Sequence, residues 1–248
     1  MQKNFKIIIE YDGSAFHGWQ IQPGKPTIQS EIQTILHLMT QENIVIHGSG
    51  RTDAGVHALG QVAHFFSHTR ISPEQFQAAL NQMLPAGIVI KECRYVEDSF
   101  HARFSAKRKT YRYRILNRQV PLAVGRQYLW HIWKKLDINA MQKAADHLVG
   151  THDFKSFEGT GSPRSSTVRQ IDRAEFKKDG DMIVFEITAN GFLKFMVRNI
   201  VGTLVDVGHE KLTINDFVRI LHVKDRTQAG PTAPPQGLFL LNVDYDPH

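Results

Sequence analysis

The same order of elements occurs twice along this chain, and that order limits the sheets it can build. In the first half, Phe5, Ile7, Ile9 and Tyr11 alternate with Lys6 and Glu10, which predicts a half-buried strand closed by Asp12-Gly13. Ile28, Ile32, Ile35, Leu36 and Met39 return at helical spacing behind Thr27, a capping residue. Ile44-Val45-Ile46 predicts a short strand ahead of a glycine-rich loop, and residues 62–66 predict the next. Ser72-Pro73-Glu74-Gln75 is a capping box with proline at the first helical position, and Phe76, Ala79, Leu80 and Met83 continue the helix. Residues 88–96 close the half as a strand. The order is β-α-β-β-α-β, the ferredoxin-like pattern.

The second half repeats it. Residues 104–116 hold an alternating strand, and Asp137 then caps a helix carrying Met141, Ala144, Ala145 and Leu148. Residues 167–176 and 182–187 flank Lys178-Asp179-Gly180-Asp181, a hairpin signal. Residues 195–207 form a helix ending at Gly208, an extra helix starts at Thr213, and 238–245 is the last strand. Only the element order repeats, not the residues. The expectation is an α+β chain of two ferredoxin-like halves, 1–100 and 101–248, with antiparallel sheets side by side and a central active-site cleft. Segments 121–135 and 159–166 read as long loops, which in compact domains are often functional.

Composition narrows the partners. Of 248 residues, 42% are apolar and 22% charged, enough for a core and unlike a disordered chain. Thirty Lys and Arg against 24 Asp and Glu leave +6, with the 13 His counted neutral. That favours a polyanionic partner such as a nucleic acid. A single cysteine, Cys93, excludes an intrachain disulfide and a Cys-cluster zinc site, and reads as a small buried apolar residue. The opening residues lack the pattern of a signal peptide, and no run of about 18 apolar residues exists to span a membrane. A soluble, cytoplasmic protein is expected.

The most unusual segment is His47-Gly48-Ser49-Gly50-Arg51-Thr52-Asp53-Ala54-Gly55-Val56-His57. Its three glycines allow close backbone approach, and Asp53 is its only carboxylate. It is not a Walker loop, a dinucleotide fingerprint or a nucleophile elbow. Asp53 is either a turn residue bonding its own backbone or a reactive group. His47, His57, His64 and His68 match no compact zinc pattern and read as scattered on polar faces. Between Arg103 and Arg118 lie seven basic residues and no acidic one. In an extended strand Tyr111, Tyr113 and Ile115 share one side, with Arg112 and Arg114 on the other. Aromatics that stack bases beside cations that hold phosphates suit RNA, and a charge-protected edge strand is the alternative. Arg198, in an otherwise apolar helix, either snorkels to water or pairs with a carboxylate.

These motifs resemble the tRNA pseudouridine synthase A family. The matching residues are Tyr11-Asp12-Gly13 with Phe16 and Gly18-Trp19-Gln20, then residues 50–58, 100–106, 111–113, 196–202, and 232–235 with Gly237-Leu238. The resemblance implies isomerisation of uridine to pseudouridine in the anticodon stem-loop of tRNA, at positions of about 38 to 40, on a flipped-out base. It implies a homodimer without cofactor or metal. It also implies Asp53 as nucleophile, Arg198 as its basic partner and Tyr111 stacked on the target uracil. Arg51 would contact RNA or hold the flipped nucleotide, and Leu238 would wall the pocket. The chemistry fits: a carboxylate can attack base or sugar, and a nearby Arg would keep it ionised against burial. Two rival classes are a non-catalytic RNA-binding module and a hydrolase using the His and Asp of 47–57.

Overall fold

The computed structural model describes residues 1–161 and 165–246. The chain divides into two compact units, Met1–Lys107 with Phe239–His248, and Arg108–Leu238. Their architecture is α+β, and each is ferredoxin-like.

In the first unit, β1 (Lys3–Tyr11) buries Phe5, Ile7, Ile9 and Tyr11 on the face the alternation predicts. It is followed by α1 (Ile28–Thr40), β2 (His47–Gly48), β3 (His57–Ser67), α2 (Pro73–Met83) and β4 (Ile88–Val96). β1 lies antiparallel between β3 and β4, with Ile7 facing Ala63 and Cys93, and β2 pairs antiparallel with β3. Both helices start with full capping boxes, Thr27 with Ser30 and Ser72 with Gln75, so early amides that lack a helical partner are satisfied. Ile28, Ile32 and Leu36 of α1, with Phe76 and Leu80 of α2, are fully buried.

The strand expected at 44–46 forms instead at His47–Gly48. Ile44 and Ile46 are buried and Val45 exposed, so the alternation is real. However, Gln33 accepts the Ile46 N–H and Gln29 donates to the Ile46 carbonyl, so side chains of α1 occupy the backbone groups of Ile46 that a ladder would use.

The second unit contains β5 (Arg108–Asn117), β6 (Trp130–Ile132), α3 (Ile138–Asp146), β7 (Gly150–Asp153), β8 (Val168–Asp179), β9 (Met182–Ala189), α4 (Met196–Gly208) and α5 (Ile214–Val223). β9 pairs antiparallel with β5 and β8, β7 pairs antiparallel with β8, and β6 runs parallel to β5. The hairpin lies where the Lys178–Asp181 signal put it, with Asp179 facing Met182. Of the two segments read as loops, 121–135 carries β6, whereas 159–166 carries no helix or strand among its described residues. Residues 162–164 of that second segment lie outside the described residues.

The final strand, β10 (Leu238–Asp244), runs parallel to β3, with Phe239 opposite His57 and Leu240 opposite Ala58. It therefore belongs to the first unit, although in sequence it closes the second half. The strand expected from residue 104 begins only at Arg108. Residues 101–107 stay with the first unit because His64 accepts the Ala102 N–H, the Tyr245 hydroxyl donates to the Ala102 carbonyl, and the Lys107 N–H reaches the Asp244 carbonyl. These bounds differ at both ends from a division at 100/101. Among the described residues no helix is long and apolar enough to cross a membrane.

Candidate active site

The glycine-rich loop of the first unit rests on buried, uncharged polar side chains. The Tyr11 hydroxyl lies 2.7 Å from Thr52 Oγ1. The Ser49 hydroxyl donates to Gln61 Oε1 (2.7 Å), and Gln61 Nε2 donates to the Gly50 carbonyl (3.0 Å). The backbone is fixed as well: Trp19 N–H donates to the Thr52 carbonyl and Val56 N–H to the Asp53 carbonyl. Gly48 is required because a Cβ there would sit 2.6 Å from the Trp19 ring. Burial holds the Tyr11 phenol well above its ordinary pKa, so it stays neutral. Asp53 is half-buried at the tip of this scaffold, and Arg51 is exposed. The loop can present a carboxylate at a fixed place.

Of the four histidines, His47 and His68 are exposed as expected, but His57 and His64 are not on polar faces. His57 is buried, its Nδ1 accepts the Gly13 N–H (3.0 Å), and its ring stacks on Phe239 at 4.7 Å. His64 is buried too, with ring centroids 5.2 Å from His47 and 4.5 Å from His101. β-pairing explains part of this grouping, since His47 stands opposite His64.

In the second unit, β5 alternates as expected, with Tyr111, Tyr113 and Ile115 buried and Arg112 and Arg114 half-buried opposite. Tyr111 meets Phe192 edge to face at 5.0 Å, which fixes its ring plane. The basic run, bare of carboxylates in sequence, is not bare in space. Glu186, opposite Arg112 across the β5–β9 pair, accepts from Arg112 Nε (2.9 Å) and Nη2 (2.6 Å). Asp172 pairs with Arg108, and Asp246 lies 2.9 Å from Lys107. The expectation of uncompensated cations is thus corrected: neighbouring strands and the chain's end supply the acids.

Arg198 lies in the first turn of α4. Its side chain does not simply snorkel: Nε donates to the Ala233 carbonyl (2.7 Å) and the guanidinium covers the Phe195 ring at 5.1 Å. Segment 226–233 is strapped to the helix. Asn199, fully buried, donates to the Phe157 carbonyl and accepts from Arg226 and Thr232. Arg226 also donates to the carbonyls of Ala229 and Gly230. Gly202 allows the strap to pass, because a Cβ there would sit 1.7 Å from the Pro231 carbonyl oxygen. Leu238, buried, ends this unit. Of the candidate residues, Arg51 and Asp53 therefore stand in the first unit, and Tyr111, Arg198 and Leu238 in the second.

A family model for tRNA pseudouridine synthase matches residues 7–105 and 144–246, covering both the Asp53 loop and the strapped helix. The chain belongs to this family. Among its relatives, the tRNA pseudouridine synthase A of Thermoanaerobacter sp. (strain X514) is 49% identical over 98% of this chain and 100% of its own. The proteins of the same name from Moorella thermoacetica and Acetivibrio thermocellus are 47% and 45% identical, over 97% and 98% of this chain and 98% and 100% of theirs. The chain is thus an isomerase of the pseudouridine synthase kind.

For a tRNA pseudouridine synthase, the residues that sequence reading missed are the supports. Gln61 was visible as a polar residue inside an apolar strand, and Asn199 as one inside an apolar helix. Both signal a buried polar group awaiting a partner. Arg226 carried no such signal, because its partners come from a segment without regular structure.

Proposed function

We propose that this chain isomerises uridine to pseudouridine in the anticodon stem-loop of tRNA, at positions of about 38 to 40, on a base flipped from the stack. Asp53 is the nucleophile, Arg198 its cationic partner, and Tyr111 the aromatic on which the uracil rests. Arg51 contacts the RNA or holds the flipped nucleotide, and Leu238 walls the pocket. The protein works in the cytoplasm as a homodimer, with no cofactor or metal in the reaction.

The observation that carries this reading is the scaffold under Asp53. Tyr11, Gln61 and Trp19 hold the residues before it, and its own carbonyl holds Val56. A nucleophile on a pinned backbone needs little reorganisation when substrate arrives. Carboxylate attack, on base or sugar, assists cleavage of the N-glycosidic bond. The detached uracil turns and a C–C bond to the sugar replaces the C–N bond. The carbon proton leaves and the freed ring nitrogen gains one, so the product is an isomer. Arg198 favours the ionised form of Asp53 against desolvation.

The test is incubation of the purified protein with an unmodified tRNA transcript in the presence of EDTA, followed by pseudouridine mapping. Pseudouridine in the anticodon stem-loop is expected. Its absence, or its appearance only elsewhere, overturns the reading.

A further inference from the structure

Phe104 is an exposed ring on a backbone that is tied down. It is 76% exposed, yet the turn that bears it is closed on itself. His101 N–H donates to Ser105 Oγ (3.0 Å) and Ser105 N–H to the His101 carbonyl (2.9 Å). The N–H groups of Arg103 and Phe104 both reach His101 Nδ1, at 3.1 and 3.3 Å. Two further bonds fasten the turn to the first unit: Ala102 N–H to His64 Nδ1 (3.1 Å) and Tyr245 hydroxyl to the Ala102 carbonyl (2.7 Å). A lone exposed aromatic needs no explanation, but one whose turn is fixed by six hydrogen bonds does.

The surroundings are cationic and aromatic. The Phe104 ring lies 4.3 Å from the His101 ring at 35°, and the Arg103 guanidinium covers it at 5.5 Å. His101 in turn lies 5.6 Å from His47, the residue that opens the Asp53 loop. Among the described residues no carboxylate pairs with Arg103, His47 or His101. Burial first, then His47 and Arg103 close by, lower the His101 pKa, which favours its neutral ring. The contrast with Arg112 and Arg108, each matched to an acid in the second unit, is direct.

We propose that Phe104, backed by His101 and flanked by Arg103 and His47, is a stacking platform for an unpaired base of the tRNA other than the uridine being isomerised. The inference rests on the RNA substrate of the reading above. A base offers a π face to Phe104, and its flanking phosphates are attracted by Arg103. A ring already fixed loses little entropy on binding.

The experiment measures the Kd of an unmodified tRNA transcript for the wild type, Phe104→Ala, Phe104→Leu and Phe104→Trp. Melting temperature and self-association of each are followed alongside. Stacking supplies about 1–3 kcal/mol per base, so Phe104→Ala is expected to weaken binding by about 5- to 140-fold. Phe104→Leu keeps apolar area without a π face and falls most of the way to Ala, whereas Phe104→Trp binds at least as tightly as wild type. Melting temperatures stay level because the ring is exposed. Wild-type affinity in Phe104→Ala or Phe104→Leu overturns the platform. So does a loss of self-association, which makes a second copy the occupant, or failure of the wild type to bind tRNA. A wild type that binds tRNA but forms no pseudouridine refutes the proposed function while leaving the stacking series readable.

Discussion

The two units share an element plan and differ in how each supports the residue it presents. In the first, the groups beneath Asp53 are neutral: Tyr11, Ser49, Thr52 and Gln61, all buried. In the second, α4 is bound to segment 226–233 through Asn199, Thr203 and a half-buried Arg226, and Arg198 rests on a backbone carbonyl. The difference follows from charge. Neutral supports beneath a carboxylate fix its backbone without adding a charge of their own. A backbone carbonyl beside the Arg198 guanidinium orients it through a dipole and adds no charge of its own.

The sharpest way to break this comparison is to remove the presented charge itself. Asp53→Asn keeps the Thr52 and Gly50 anchors, so it is expected to fold and bind tRNA while pseudouridine formation falls below detection, because an amide is no nucleophile. Residual turnover by that variant would sink the role given to Asp53. Arg198→Met tests the other side. Loss of a positive partner raises a carboxylate pKa, so the acid limb of the rate–pH profile moves up and activity partly returns at higher pH. Arg198→Lys falls between, since the charge survives without the planar fork. Single-turnover rates at saturating tRNA decide, and an unmoved profile in Arg198→Met dissolves the partnership.

The supports come next. Asn199→Ala leaves the Phe157 carbonyl without its donor and removes the acceptor shared by Thr232 Oγ1 and Arg226 Nη2, which keep only their bond to each other, and is expected to lower stability by about 3 kcal/mol. Gln61→Leu removes the acceptor of the Ser49 hydroxyl and the donor to the Gly50 carbonyl, all neutral, and is expected to cost about 2 kcal/mol. Denaturant midpoints measure both. Equal losses would mean that the charge on Arg226 does not distinguish the two networks.

Asp53 and its loop were legible because glycines, an Arg and a lone carboxylate stand within a few consecutive residues. The partners were not, because they are distant: Tyr11 and Thr52 meet across 41 residues, and Arg112 and Glu186 across 74. The basic run therefore looked unopposed. Periodicity found β1, the helices and the hairpin, where local pattern and burial agree. It placed a strand at 44–46 where β2 forms at His47–Gly48, because side chains of α1 take the backbone groups of Ile46. It assigned β10 to the second half, because chain order does not say which strand a terminal strand will join. The histidine cluster was equally hidden, since His101 reaches His64 through a turn.

That cluster makes the first unit acid-sensitive. Burial, then His101 and His47, push the His64 pKa down to about 4. The unfolded chain takes up its proton near about 6.5, so between the two values the unfolded state binds more protons and stability falls as pH drops. At about 1.4 kcal/mol per pH unit, the loss reaches at most about 3 kcal/mol. His64→Asn keeps an acceptor for the Ala102 N–H but cannot titrate. Its stability is expected to change less between pH 7 and pH 4 in buffered urea melts. An unchanged pH slope would place the acid sensitivity elsewhere.

The smallest effect separates two arginines of one strand. On β5, Arg112 faces Glu186 while Arg114 faces Val184, and among the described residues Arg114 has no carboxylate partner. Glu186 is the more thoroughly engaged because Arg173 Nη2 lies 3.6 Å and Lys177 Nζ 4.0 Å from its other oxygen. A cation already held by an acid releases few counterions when it meets a phosphate, whereas an unheld one lowers the log–log salt slope by about one when removed. Arg114→Gln is therefore expected to flatten the salt dependence of tRNA binding by about one, with a several-fold loss of affinity at low salt. Arg112→Gln is expected to leave the slope nearly unchanged. Glu186→Gln sharpens the contrast, since it frees Arg112 and Lys177, while Arg173 keeps Glu175 at 2.7 Å, and is expected to steepen the slope and tighten binding. Kd values across a potassium chloride series measure all three. Equal changes in Arg112→Gln and Arg114→Gln would show that the ion pair opens for RNA, and no change in either would make β5 a charged strand that RNA does not touch.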